Sequence, residues 1–121
     1  MLCAAGPHAI PVSSYVRGDG GRVLIALGGR RETLARLRDD PRAAFCVLGQ
    51  GVAFTAYGDA VVVRQSLEAA PGNVAVELRV DRVQDHLADG RTEILASPRW
   101  RWVDAEAAAI QPQILEELRS L

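Results

Sequence analysis

Residues 52–64 read Val52-Ala53-Phe54-Thr55-Ala56-Tyr57-Gly58-Asp59-Ala60-Val61-Val62-Val63-Arg64. The run is rich in β-branched and aromatic residues, so it reads as a strand. It is also roughly twice the common strand length of about 5–6 residues. Gly58-Asp59 interrupts it near the middle, and a glycine inside a strand pattern marks a bulge or a sharp bend, as at a barrel corner. A long strand bent once predicts a small closed or partly closed barrel rather than a flat sheet.

The flanking segments agree. Upstream, Ala43 to Leu48 is a strand turned by Gly49-Gln50-Gly51, and downstream Asn73 to Val83 alternates strictly. Val74, Val76, Leu78 and Val80 point one way, and Ala75, Glu77, Arg79 and Asp81 the other. Further upstream, Arg22 to Leu27 is apolar on both faces, and Gly18-Asp19-Gly20-Gly21 before it is a hairpin signal because these residues tolerate positive φ. His8 to Val16 has Ile10, Val12, Ser14 and Val16 at period 2 and is expected to form one strand. Met1 to Ala5 precedes the Gly6-Pro7 turn and is expected to pair in the same sheet. The period changes only twice. Leu34 and Leu37 lie on one face of a short helix that Pro41 stops. From Asp104 the tail is helical in composition, with Pro112 allowing a break that leaves Gln113 to Leu121 as a closing helix. The expectation is a mainly β, six-stranded antiparallel split β-barrel with one short inserted helix and a C-terminal helix. All of it forms one domain over residues 1–121, with the barrel at about 1–86 and the extension at about 87–121.

Composition bounds the function. Apolar residues make up 49% of the chain and aromatic ones only 5%, so the core is built from Val, Leu, Ile and Ala. All 14 basic residues are arginine, and the net charge is -1. That balance argues against a nucleic-acid partner, which favours a strongly basic footprint. No apolar run is long enough to span a membrane, and no signal pattern opens the chain, so a cytoplasmic location is expected. Cys3 and Cys46 lack metal-ligand spacing and are expected to be buried small hydrophobes, and no metal is expected. No Ser-His-Asp order, paired carboxylate or phosphate-binding glycine loop stands out. Against this even background, Gly29 to Arg42 ("GRRETLARLRDDPR") gathers five arginines around the short helix.

The order of Gly6-Pro7-His8, a hairpin, a short basic helix ending Leu37-Arg38-Asp39-Asp40-Pro41-Arg42, and then Tyr57-Gly58-Asp59-Ala60-Val61-Val62 resembles the pyridoxamine 5′-phosphate oxidase-like superfamily, the flavin-binding split β-barrels. The resemblance covers residues 1 to about 86. It implies a homodimer with two sites at the subunit interface, each holding FMN or, in some branches, a deazaflavin coenzyme, and acting on a small-molecule substrate. It implies an FMN-dependent oxidoreductase of unassigned substrate. A deazaflavin-dependent reductase and a ligand-binding barrel without turnover remain as alternatives.

The resemblance also implies where the cofactor lies. Pro11, Val12, Ser13 and Ser14 would meet the edge of the ring system through their backbone, with Leu27 and Gly28 closing the neighbouring strand. The start of the inserted helix would hold the phosphate, because free N–H groups and the dipole favour an anion there. Arg30, Arg31, Thr33 and Arg36 are the candidates. Thr33 stands where many members place a lysine, and the arginines around it would replace that charge. Arg38 is expected to be a surface ion-pairing residue. The chain begins almost at the Gly-x-Pro-His turn, where family members usually have a helix and a fuller first strand. His8 is expected to make a structural hydrogen bond. Trp100 and Trp102 are expected to anchor the C-terminal helix rather than stack on a ligand.

Overall fold

The computed structural model describes all 121 residues. The strands are β1 (Leu2–Ala4), β2 (His8–Ile10), β3 (Tyr15–Gly18), β4 (Arg22–Gly28), β5 (Arg42–Gly49), β6 (Val52–Arg64) and β7 (Asn73–Asp85). Helix α1 (Glu32–Asp39) is inserted between β4 and β5, and helix α2 (Ala105–Arg119) ends the chain. All strand pairs are antiparallel and form one sheet in the order β2-β1-β5-β6-β7-β4-β3.

The sheet has seven strands, one more than the sequence reading. The extra one arises because His8 to Val16 is two strands. Pro11 has no N–H to give a ladder, and the chain leaves one edge of the sheet at Ile10 and rejoins it at the opposite edge at Tyr15. This connection shapes the molecule. From Ile10 to Tyr15 an extended chain reaches at most about 18 Å, whereas a flat sheet of this size would hold its edges about 29 Å apart at ~4.8 Å per strand. The sheet therefore curls until its edges approach. No ladder joins β2 to β3, so the curled sheet is split there.

The bend in β6 is where the sequence put it. The register with β7 shifts between Tyr57 and Gly58. A Cβ on Gly58 would run into the Arg79 carbonyl oxygen, so only glycine lets the two backbones close at this corner.

Alternation along the strands sorts residues into two cores. The concave side holds Leu2, Ile25, Leu27, Phe45, Val74, Val76 and Leu78, and α1 adds Leu34 and Leu37. On the convex side Val16, Leu24 and Ala75 meet Leu67, Ala70 and the α2 residues Ile114 and Leu118. β4 is apolar on both faces because each face meets one of these cores. Helix α2 runs through Pro112 without the expected break. The missing proline N–H costs one hydrogen bond, but the helix starts well before it. Asp104 caps that start by accepting from the N–H groups of Glu106 and Ala107.

Polar contacts fasten α2 to the sheet. Glu117 accepts from the N–H groups of Glu68 and Ala69 and from Arg64. Glu77, on the face of β7 opposite to Val74, Val76 and Leu78, is buried. It is bridged by Arg22 at 3.0 Å and Arg79 at 2.7 Å, and Arg22 also donates to the carbonyl of Leu121 at the end of the chain.

Candidate functional site

A cavity of about 270 Å³ opens where the segment between β2 and β3 passes the end of β4 and the start of α1. Ile10, Pro11, Val12, Ser13 and Ser14 form one wall. Ala26, Leu27, Gly28 and Asn73 form the floor, and Arg31 stands at the α1 end. The remaining wall is Trp102 with the α2 residues Ala107, Ile110, Gln111 and Ile114.

Local chemistry makes this cavity a place for an acceptor-bearing ligand. Residues 11–14 belong to no strand, and the N–H groups of Val12, Ser13 and Ser14 have no acceptor within the chain. At the other end, α1 begins without a side-chain cap. Arg31 occupies the cap position in extended conformation and makes no capping hydrogen bond. The first N–H groups of a helix have no intrahelical partner, and Arg31 brings a guanidinium to this end of the cavity. The Arg31 guanidinium stem lies against Gly28, where a Cβ would meet its Cγ at 3.3 Å. Arg30 and Arg31 are exposed. Unlike Arg36 in α1 and Arg42 in β5, neither forms an ion pair.

The other phosphate candidates are placed differently. Thr33 is 1% exposed, and its hydroxyl is hydrogen-bonded to His8 Nε2 at 2.8 Å. It therefore ties α1 to the β1–β2 turn and does not reach the cavity. His8 makes the structural bond its turn position suggested. Arg36 donates to the carbonyls of Ala5 and Gly6 and pairs with Glu32 at 3.0 Å. Its charge is used inside the fold. Arg38 bonds to Gln65 rather than to its acidic neighbours, and Arg42 is claimed by Asp81 and Asp59. The five arginines thus reduce to two that face outward uncommitted.

The tryptophans depart from expectation. Trp100 is 62% exposed and meets Trp102 edge to face at 5.4 Å between ring centres. Neither belongs to a core cluster. Trp102 is half-buried because it forms part of the cavity wall, and Trp100 is no anchor. The sequence reading also missed Asn73 and the α2 residues. Asn73 is brought in by the bond from Gly29 N–H to the Gly72 carbonyl at 2.8 Å. The α2 residues carried a signal, since 107, 110, 111 and 114 share one helical face at i, i+3, i+4 and i+7 spacing. Cys3 and Cys46 are free thiols, half-buried rather than buried.

No family model matches the chain, and no curated protein matches it. Among solved structures, it is similar to a "putative pyridoxamine 5′-phosphate oxidase" from Listeria innocua. The TM-score is 0.56 at 14% identity, over 70% of this chain and 85% of that one. At that identity the likeness concerns the fold. It supports the split-barrel reading of the curled, open-edged sheet. No helix is long and apolar enough to cross a membrane.

Proposed function

We propose that the protein binds FMN in this cavity and acts as an oxidoreductase on a small-molecule substrate, as a homodimer in the cytoplasm. The observation that carries the reading is the pairing of two features in one cavity. Three residues whose N–H groups have no partner in the chain line one wall, and an uncapped helix start with an uncommitted arginine stands at the end. When bound, FMN would supply hydride transfer, chemistry that the side chains lining the cavity do not carry. Arg31 and the first N–H groups of α1 would hold the phosphate, the arginine through two parallel hydrogen bonds. The N–H groups of Val12 to Ser14 would donate to acceptors along the ring edge. Trp102, Ile110 and Ile114 would keep water from one side. At about 270 Å³ the cavity lies just under the roughly 300–1,000 Å³ of ligand pockets. Part of the cofactor would therefore be covered from outside the chain, which supports a second copy completing each site.

A reading without turnover draws on the commitment of Thr33 and Arg36 to the fold, which leaves fewer groups for a phosphate. A deazaflavin coenzyme draws on exposed Arg30, which suits a longer anionic tail. Titration separates these. FMN should bind with a shift of its visible absorbance. Arg31→Ala should weaken FMN by roughly 10- to 100-fold, the loss of a charged hydrogen bond of about 1.5–3 kcal/mol, and leave riboflavin unaffected. Arg38→Ala should change neither. Equal losses for both ligands would remove the phosphate from α1, and tighter uptake of a deazaflavin would replace the cofactor.

A further inference from the structure

The bond network behind the cavity wall runs through a residue that no sequence motif marks. Gln111, on α2, holds two consecutive residues of the segment between β2 and β3. Its Nε2 donates to the Ser13 carbonyl at 3.1 Å, and its Oε1 accepts from the Ser14 hydroxyl at 2.6 Å. The Ser14 carbonyl in turn accepts from Ala26 N–H on β4 at 3.0 Å. Ser14 is buried, whereas Ser13 and Pro11 are exposed.

Peptide planarity gives this clamp a consequence. The Ser13 carbonyl and the Ser14 N–H belong to one trans peptide and point in opposite directions. A donor fixed on the carbonyl therefore fixes the heading of the N–H, turned away from the Gln111 amide and without a partner in the chain. Residues 11–14 have no ladder of their own to hold them. Without Gln111, only the Ala26 bond and flanking strands would restrain these peptide planes.

We propose that Gln111 is a positioning residue of the cavity: its clamp on Ser13 and Ser14 holds the peptide between them so that the Ser14 N–H keeps the orientation that donates to the edge of a planar heterocycle. This rests on the flavin reading above. It assigns to α2 a part in ligand binding through the backbone of a segment nearly a hundred residues earlier in the chain. The effect falls on the ring and not on the phosphate, which Arg31 serves at the far end of the cavity.

The test compares Gln111→Met, Ser14→Ala and Leu118→Val with wild type. Each is titrated with FMN and with riboflavin well below its melting temperature, and visible circular dichroism of the bound flavin is recorded. Gln111→Met keeps the side-chain length and loses both hydrogen bonds. It should weaken FMN and riboflavin by the same factor, about tenfold, and change the dichroism of the bound ring. Ser14→Ala, which loses only the hydroxyl bond, should show the same pattern at about two- to fivefold. Leu118→Val loosens α2 from its core without touching the clamp, so it should lower Tm and leave both affinities unchanged. Unchanged affinities in Gln111→Met, or a loss confined to FMN, would overturn the positioning role while the cofactor stands. Uptake of neither flavin by the wild-type protein would overturn the cofactor, and the role built on it.

Discussion

The two helices invert what their sequences advertise. α1 sits within the densest run of charge in the chain, whereas α2 reads as an apolar closing helix. Yet the cavity takes only Arg31, at the cap of α1, from the first, and Ala107, Ile110, Gln111 and Ile114 from the second. The difference teaches that a sequence counts cations but not free cations. Arg36 serves the carbonyls of Ala5 and Gly6, Arg38 serves Gln65, and Arg42 serves Asp59 and Asp81. These partners are scattered: Ala5 and Gly6 lie in the turn between β1 and β2, Gln65 just after β6, Asp59 on β6 and Asp81 on β7. α2, by contrast, divides its length between a core and a cavity wall, with Ile114 touching both.

The sharpest way to break this comparison is to empty the core under each helix. Leu34→Ala and Leu118→Ala should each destabilise by about 2–5 kcal/mol, as buried Leu truncations do. Leu34 should lie at the upper end, because the larger concave cluster closes around it. Leu118 should lie at the lower end, because the cluster around it is smaller. Equal losses in urea denaturation would mean that the two clusters behave as one core.

Acid should act on the α2 side of the molecule. The Arg79 hydrogen bond, joined by Arg22, holds the Glu77 carboxyl below the usual glutamate range despite its burial. Burial works to raise Glu117, but the N–H groups of Ala69 and Glu68 and the Arg64 guanidinium outweigh it and leave it lowered. Both groups thus take up protons more readily unfolded than folded. Their stabilisation is complete above the ordinary glutamate range of about 4.3 and is lost as pH falls through that range and below it. Glu117→Gln should flatten this acid limb and lower stability at neutral pH by about 1–2 kcal/mol, through weakened bonds to two N–H groups and Arg64. Glu32→Gln on α1 removes only an exposed pair, of about 0–1 kcal/mol, and should leave the limb intact. An unchanged acid limb in Glu117→Gln would contradict the anchoring of α2 by this carboxylate.

Thr33→Val probes the α1 side more gently. Losing the bond to His8 should lower stability by about 1 kcal/mol and leave FMN affinity where it was. Lost affinity at unchanged stability would put the hydroxyl on the phosphate. The smallest effect belongs to Trp100→Ala. With the ring 62% exposed, its edge-to-face contact with Trp102 is worth about 0.5–1.5 kcal/mol at most, so thermal melting should shift by only a few degrees. A larger shift would restore the anchor role.

Much of the fold was legible. The hairpin at Gly18 to Gly21, the short helix ended by Pro41, the alternation of Val74 to Val80 and the corner at Gly58 all rest on local rules of φ, hydrogen bonding and periodicity. Those rules act over a few residues, so a sequence displays them. The segment at Pro11 to Ser14 and the cation-bearing helix start could be nominated as a site, the former only through a family resemblance.

What the sequence by itself determined is where most of the strands and turns fall, that the inserted segment and the tail are helical, and which faces are apolar. Tertiary structure alone decided that His8 to Val16 splits between opposite edges of the sheet, that Thr33 and Arg36 are consumed by His8 and by the Ala5 and Gly6 carbonyls, and that Gln111 clamps Ser13 and Ser14. The last two depend on hydrogen-bond partners tens of residues away, and the first on how the whole sheet curls. A side chain's type sets what it can donate or accept, but only the closed sheet sets which partner reaches it first.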